Sequence, residues 1–285
     1  MKFNRAAVAI LLLAVVFPLL ASAPHEQGRQ ENGLNVVQAQ VVLTVSESKR
    51  LIARAVSEMP LVQRALQDGV VIIAKGTTNT YVAEEITGET IPHGAYVYGR
   101  TYPVEGGKVL PEVEPMSEVV LIKGQRQRDL PLGEAVKRLE PGDVVIKGAN
   151  ALDYRNKTAG VLIGSRSGGT SGTIMPFVVA RKAHLVIPVG LEKQTAWPVL
   201  DIANRMREPI ESLNDIPSMF LLTGHIMTEI EALQLLSGVS AFQAAAGGIG
   251  GAEGAVRLII RGSRDQVDKA LRVIEDVQGE PPFVE

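Results

Sequence analysis

The chain has 285 residues, a formal charge of −2 at neutral pH and no cysteine. Such a length allows one large domain or two ordinary ones with a sizeable core. This composition excludes disulfides, thiolate metal sites and cysteine nucleophiles, and without a long basic run nucleic acid is a poor partner.

His25, His93, His184 and His225 are scattered without ligand spacing, so no metal site is expected. Lys2 and Arg5 precede an apolar stretch over 6–20 that ends in Ala21-Ser22-Ala23. That order is the pattern of a signal peptide, 1–23, and predicts an exported (periplasmic or extracellular) protein. An uncleaved membrane anchor is the other reading of the same stretch. The polar, Gln-rich residues 24–40 read as a flexible lead-in.

From residue 41 an α/β pattern sets in. Ser46 and Glu47 open an amphipathic helix that stops before Pro60, and a second helical stretch follows over 61–66. Residues 70–74 are a Val/Ile strand, Gly76-Thr77-Thr78-Asn79 a turn, and 80–86 the opening of a helix. A helix N-terminus after a strand offers unpaired N–H groups to an anion, while the plain alternative is an ordinary Thr/Asn cap. Gly76, Thr77, Thr78 and Asn79 are candidate ligand-binding residues. The turn is neither a Walker loop nor GxGxxG, so no nucleotide cofactor is expected. Residues 88–117 read as an excursion, with short strands at 95–100 and 108–110, lying as a flap over the site.

Apolar runs at 144–147, 161–164 and 185–189 read as buried strands of one open, mostly parallel sheet with helices on both faces. Each ends in polar or glycine-bearing residues, where such sheets collect their ligands. Ser167, Gly168, Gly169, Thr170, Ser171 and Gly172 form a second candidate cradle before a helix at 173–183, against the alternative of a surface loop. Asn150, Asp153 and Lys193 close the predicted pocket. Asp153 and Lys193 are candidate catalytic residues for proton transfer, or else a turn cap and a solvated strand end. His184 and Trp197 read as packing residues.

Gly148-Ala149-Asn150-Ala151-Leu152-Asp153, the glycine turn at 168–172 and Val189-Gly190-Leu191-Glu192-Lys193 are similar in order to motifs of the ribose-phosphate isomerase, glucosamine-phosphate deaminase and CoA-transferase-like superfamily, nearest in look to its lactate-utilisation (LUD) branch. Gly76-Thr77-Thr78-Asn79 falls where these families keep a ligand loop. The resemblance covers roughly 41–222 and implies an acid at Asp153 and a functional lysine at Lys193. The chain departs from the pattern at Thr173-Ile174-Met175-Pro176, which holds no carboxylate, and it lacks the transferases' glutamate nucleophile and the deaminases' acid–histidine pair.

Residues 223–281 read as a ferredoxin-like α+β module opened by a strand at 220–223, with capping boxes at Thr228/Glu231 and Ser263/Gln266 and a glycine-rich hairpin over 247–254. It would serve to assemble a homo-oligomer or to bind a small effector. The sequence thus predicts an α/β ligand-binding domain over 41–222 that holds a small phosphorylated or carboxylated metabolite. Both an isomerase- or hydrolase-like proton-transfer enzyme and a non-catalytic binding or regulatory protein fit that description.

Overall fold

The computed structural model describes residues 36–106 and 109–284. The leader at 1–23 and most of the lead-in lie outside these residues, as does Lys108 of the expected strand at 108–110. The lead-in ends sooner than expected, because Val37–Leu43 is already strand β1. Helix α1 (Val45–Glu58) follows, capped by Thr44 rather than Ser46: Glu47 N donates to Thr44 Oγ1 and Thr44 N donates to the Glu47 carboxylate. Helix α2 (Pro60–Asp68) starts on proline, whose missing N–H costs nothing there.

Strand β2 (Val70–Ile73) leads to α3 (Thr77–Thr87). Strands β3 (Val119–Ile122) and β4 (Gln125–Arg126) form a hairpin, α4 (Leu132–Ala135) continues as a 3-10 turn, and β5 (Val144–Ile146) follows. Strands β6 (Ala151–Asp153) and β7 (Thr158–Ile163) precede α5 (Gly169–Arg181) and β8 (His184–Pro188). Helix α6 (Val199–Arg205), β9 (Ser218–Thr223), β10 (His225–Met227) and α7 (Glu229–Ser237) come next. The remaining elements are β11 (Ser240–Ala246), β12 (Val256–Gly262) and α8 (Arg264–Glu275). The capping boxes expected at Thr228/Glu231 and Ser263/Gln266 are both present.

The molecule is mixed α/β. Its main sheet has six strands in the order β10-β8-β5-β2-β3-β4. The first four are parallel, and the β3–β4 hairpin adds an antiparallel edge. Strands β2 and β5 are buried throughout, as parallel strands covered on both faces must be, which is why they read as unbroken Val/Ile runs.

The apolar run at 161–164 lies elsewhere. It ends β7, which pairs antiparallel with β6 and β9 in a separate three-stranded sheet. The strand expected to open a C-terminal module is β9 of this sheet, and the sheet of residues 240–262 takes its third strand from the other end of the described chain. In the order β1-β12-β11, β1 runs antiparallel to β12 from Val37 opposite Gly262 to Leu43 opposite Val256. The described residues accordingly belong to one compact unit. One core joins Leu51, Ile52 and Val56 of α1 to β2, β5 and β8 and to Leu258, Ile260 and Ile274.

Candidate functional site

The parallel strands β2 and β5 end side by side. Ala74 N donates to Ile146 O at 2.9 Å. The Asn79 side chain, fully buried, donates from Nδ2 to Ala74 O at 2.7 Å and to Ile146 O at 3.2 Å, locking the two strand ends together. Gly76 is the N-cap of α3, which has no side-chain cap, so its first N–H groups are left for an outside acceptor. Beyond β5, Lys147 N donates to Val186 O at 2.9 Å.

A cleft of about 590 Å³ opens at these strand ends. Residues 75–79, 147–150 and 161–162 with Gly164 form its floor and sides, and Lys193 and Pro217 reach it from later in the chain. The excursion supplies 97–103 and Leu110 as a wall. The strand expected at 95–100 does not form, because its backbone groups are taken elsewhere: Tyr96 O accepts from Gly76 N, and Ala95 O accepts from Met116 N. Tyr96 itself donates its hydroxyl to Ile73 O and accepts from Val119 N, pinning the excursion to β2 and β3. Phe283 completes the rim, stacked on His93 with ring centres 4.2 Å apart.

The cleft is cationic. Lys75, Arg100, Lys147 and Lys193 line it, and among the described residues no carboxylate side chain does. Burial, helped by the charge of Lys193, lowers Lys147 to about 8. Behind the lining, Lys49 is also lowered to about 8, by burial and by Lys193, with Glu192 opposing. Its Nζ stands 5.5 Å from the centre of the Phe283 ring. Lys193 lies 3.9 Å from the Glu192 carboxylate. Two lining groups, Asn79 Oδ1 and the Tyr102 hydroxyl, are buried without a hydrogen-bond partner among the described residues. Buried polar atoms are seldom left so, although Ser48, Tyr81, Ser171 and Glu192, outside the lining, each hold one as well.

Of the residues expected at the site, Gly76, Thr77, Thr78, Asn79, Asn150 and Lys193 line the cleft. Asp153 does not. Its carboxylate accepts from Asn156 N at 3.0 Å and from Asn156 Nδ2 at 2.7 Å, holding the β6–β7 turn closed. Ser167, Gly168, Gly169, Thr170, Ser171 and Gly172 do not line it either, and only Gly164 before them borders it. The glycines there serve the backbone. Gly168 and Gly169 have φ of 82° and 56°, and a Cβ on Gly172 would overlap Ser167 O. The two glycine corners follow strands of different sheets, and the lining contributed by the β7 side stops at Gly164.

Lys75, Lys147, Arg100 and Tyr102 are site residues that motif reading misses. A signal exists for the lysines: Ile73-Ala74-Lys75-Gly76 and Val145-Ile146-Lys147-Gly148 each end a buried strand in Lys-Gly. The same ending at Leu121-Ile122-Lys123-Gly124 makes only the β3–β4 hairpin turn.

No protein-family model, curated protein or solved structure matches the chain. Among the described residues no cluster of three or more His, Asp or Glu side chains could hold a metal ion. No helix of these residues is long and apolar enough to cross a membrane.

Proposed function

We propose that the protein binds a small anionic metabolite, phosphorylated or carboxylated, in the cleft at the ends of β2 and β5. The observation that carries this reading is the convergence of Lys75, Arg100, Lys147 and Lys193 on the uncapped start of α3, with no side-chain carboxylate in the lining among the described residues. On a chain of net charge −2 such an assembly is not a by-product of composition. Like charges gathered in a partly dry cleft repel, and a bound anion relieves that cost. The volume suits a ligand of metabolite size.

The superfamily resemblance belongs to this proposal, with the parallel strand ends and the placement of Gly76-Thr77-Thr78-Asn79 and Lys193 as its support. Export rests on the basic, apolar and small-residue order of 1–23. Assembly into a homo-oligomer through residues 223–281 is also retained. The place of Asp153 in the β6–β7 turn, outside the cleft lining, favours a binding protein over an enzyme that uses it as its base.

Thermal unfolding in the presence of sugar phosphates, carboxylates and inorganic phosphate tests the reading. A ligand at a hundred times its dissociation constant stabilises by ~2.7 kcal/mol. A midpoint that no anion raises overturns it.

A further inference from the structure

The lysines of the cleft differ in what surrounds them. Lys193 faces the Glu192 carboxylate at 3.9 Å, and Lys75 lies 5.7 Å from the centre of the Tyr98 ring. Each contact gives the ammonium a partner. Lys147 has neither. Its Nζ makes one hydrogen bond, to Gly148 O at 3.2 Å, and among the described residues it enters no ion pair. The charge nearest to it in effect is that of Lys193, which repels.

The strand end that carries this lysine is pinned from both sides: Val186 O accepts the Lys147 N–H, and Ile146 O accepts from Asn79 Nδ2. A part-buried amine beside a second cation, fixed at a strand end and open to a cleft, has the surroundings in which lysine becomes a nucleophile.

We propose that Lys147 forms an imine with an aldehyde or ketone that carries a phosphate or carboxylate group. This deepens the anion-binding reading and rests on it. The α3 start and Lys75, Arg100 and Lys193 hold the anionic end, which leaves the carbonyl to Lys147. The Nζ lone pair forms a bond to the carbonyl carbon as the C=O π pair moves to oxygen, and the loss of one proton from nitrogen and gain of one by oxygen give a carbinolamine. The C–O bond then breaks, the oxygen leaving as water with a second proton, while nitrogen gives up its remaining proton and its lone pair completes the C=N bond. No oxidant or reductant is consumed, and hydrolysis reverses every step.

The test exposes the full chain at pH 8 to dihydroxyacetone phosphate, and separately to pyruvate, with borohydride present. Hydride delivered to the imine carbon converts it to a stable secondary amine, which peptide mass mapping locates. With Lys147 lowered to about 8 against an ordinary 10.5, its adduct should exceed that at any exposed lysine by about tenfold or more. Inorganic phosphate should suppress it. Lys147→Arg and Lys147→Met should abolish it, with thermal unfolding checking that each variant folds.

Adducts spread evenly over surface lysines, or none with either probe, overturn the proposal. If phosphate still raises the unfolding midpoint in that case, the anion site stands and only the nucleophile falls. If phosphate neither stabilises the chain nor competes with the adduct, the anion-binding reading falls, and with it the orientation on which the imine rests.

Discussion

Glu229 accepts the Leu191 N–H at 3.0 Å from inside the first turn of α7, so a fully buried carboxyl anchors the 3-10 turn that carries Glu192 and Lys193. Burial, and after it the Glu192 charge, pushes this carboxyl up to about 7. Its ordinary value is 4.5, so between those limits the folded protein holds a proton that the unfolded chain has lost. Stability therefore falls as pH rises through that window, and the loss is complete above about 7. The cost is up to about 3 kcal/mol at 1.36 kcal/mol per unit. Glu229→Gln keeps an acceptor for Leu191 and removes the charge. Its unfolding midpoint should exceed that of the parent at pH 7.5 and approach it at pH 5; an equal difference at both pH values would contradict the assignment.

Lys147 and Lys49, both lowered to about 8, lose positive charge around the cleft as pH passes that value. Anion affinity should weaken from pH 7 to pH 9. Sulfate is the suitable probe, because its own charge is constant across that range. A charged hydrogen bond is worth ~1.5–3 kcal/mol, so Lys75→Ala and Lys193→Ala should each weaken sulfate binding by about tenfold or more. Titration calorimetry reads both effects.

Asp153, Ser167 and Thr170 lie outside the cleft lining. Alanine at any of them should leave sulfate affinity unchanged. Asp153→Ala should still lower stability, by about 1–3 kcal/mol, since two donors of Asn156 lose their acceptor. A selective loss of binding in Asp153→Ala would return that carboxylate to the site.

Asp143 joins the start of β2 to the turn before β5: its carboxylate accepts from Val70 N and Glu140 N, each at 2.7 Å. Asp143→Ala leaves a buried amide without a partner and should cost about 1–3 kcal/mol. Gly69→Ala should destabilise through the same contact, because a Cβ there would overlap Asp143 Oδ1. Chemical denaturation checks both, and a neutral Gly69→Ala would show that the turn yields.

What was legible in the sequence was local. Capping boxes at Thr228 and Ser263 are read from adjacent residues, and unbroken Val/Ile runs mark β2, β5 and β8 as buried. Partner choice was not legible. The run at 161–164 resembles the other three in composition, yet β7 joins an antiparallel sheet, because composition records burial and not which neighbour provides it. The site divided along the same line. Gly76-Thr77-Thr78-Asn79 follows a strand of the main sheet and reaches the cleft, whereas the corner at 167–172 follows β7 and does not. Lys75 and Lys147 carry no distinctive signal, because Lys-Gly after a strand also spells a hairpin at Lys123.

The pairing of β1 with β12 ties residues 37–43 to 256–262. Contacts so distant in sequence must wait on closure of a very large loop, which slows folding. During synthesis β1 and the flank of α1 emerge early and stay uncovered until the last strand leaves the ribosome. A chain cut short before residue 256 would keep an open edge beginning at Val37, ready to pair with another copy. Strand β1 must wait for β12 to be made, and until then it is the segment most in need of protection.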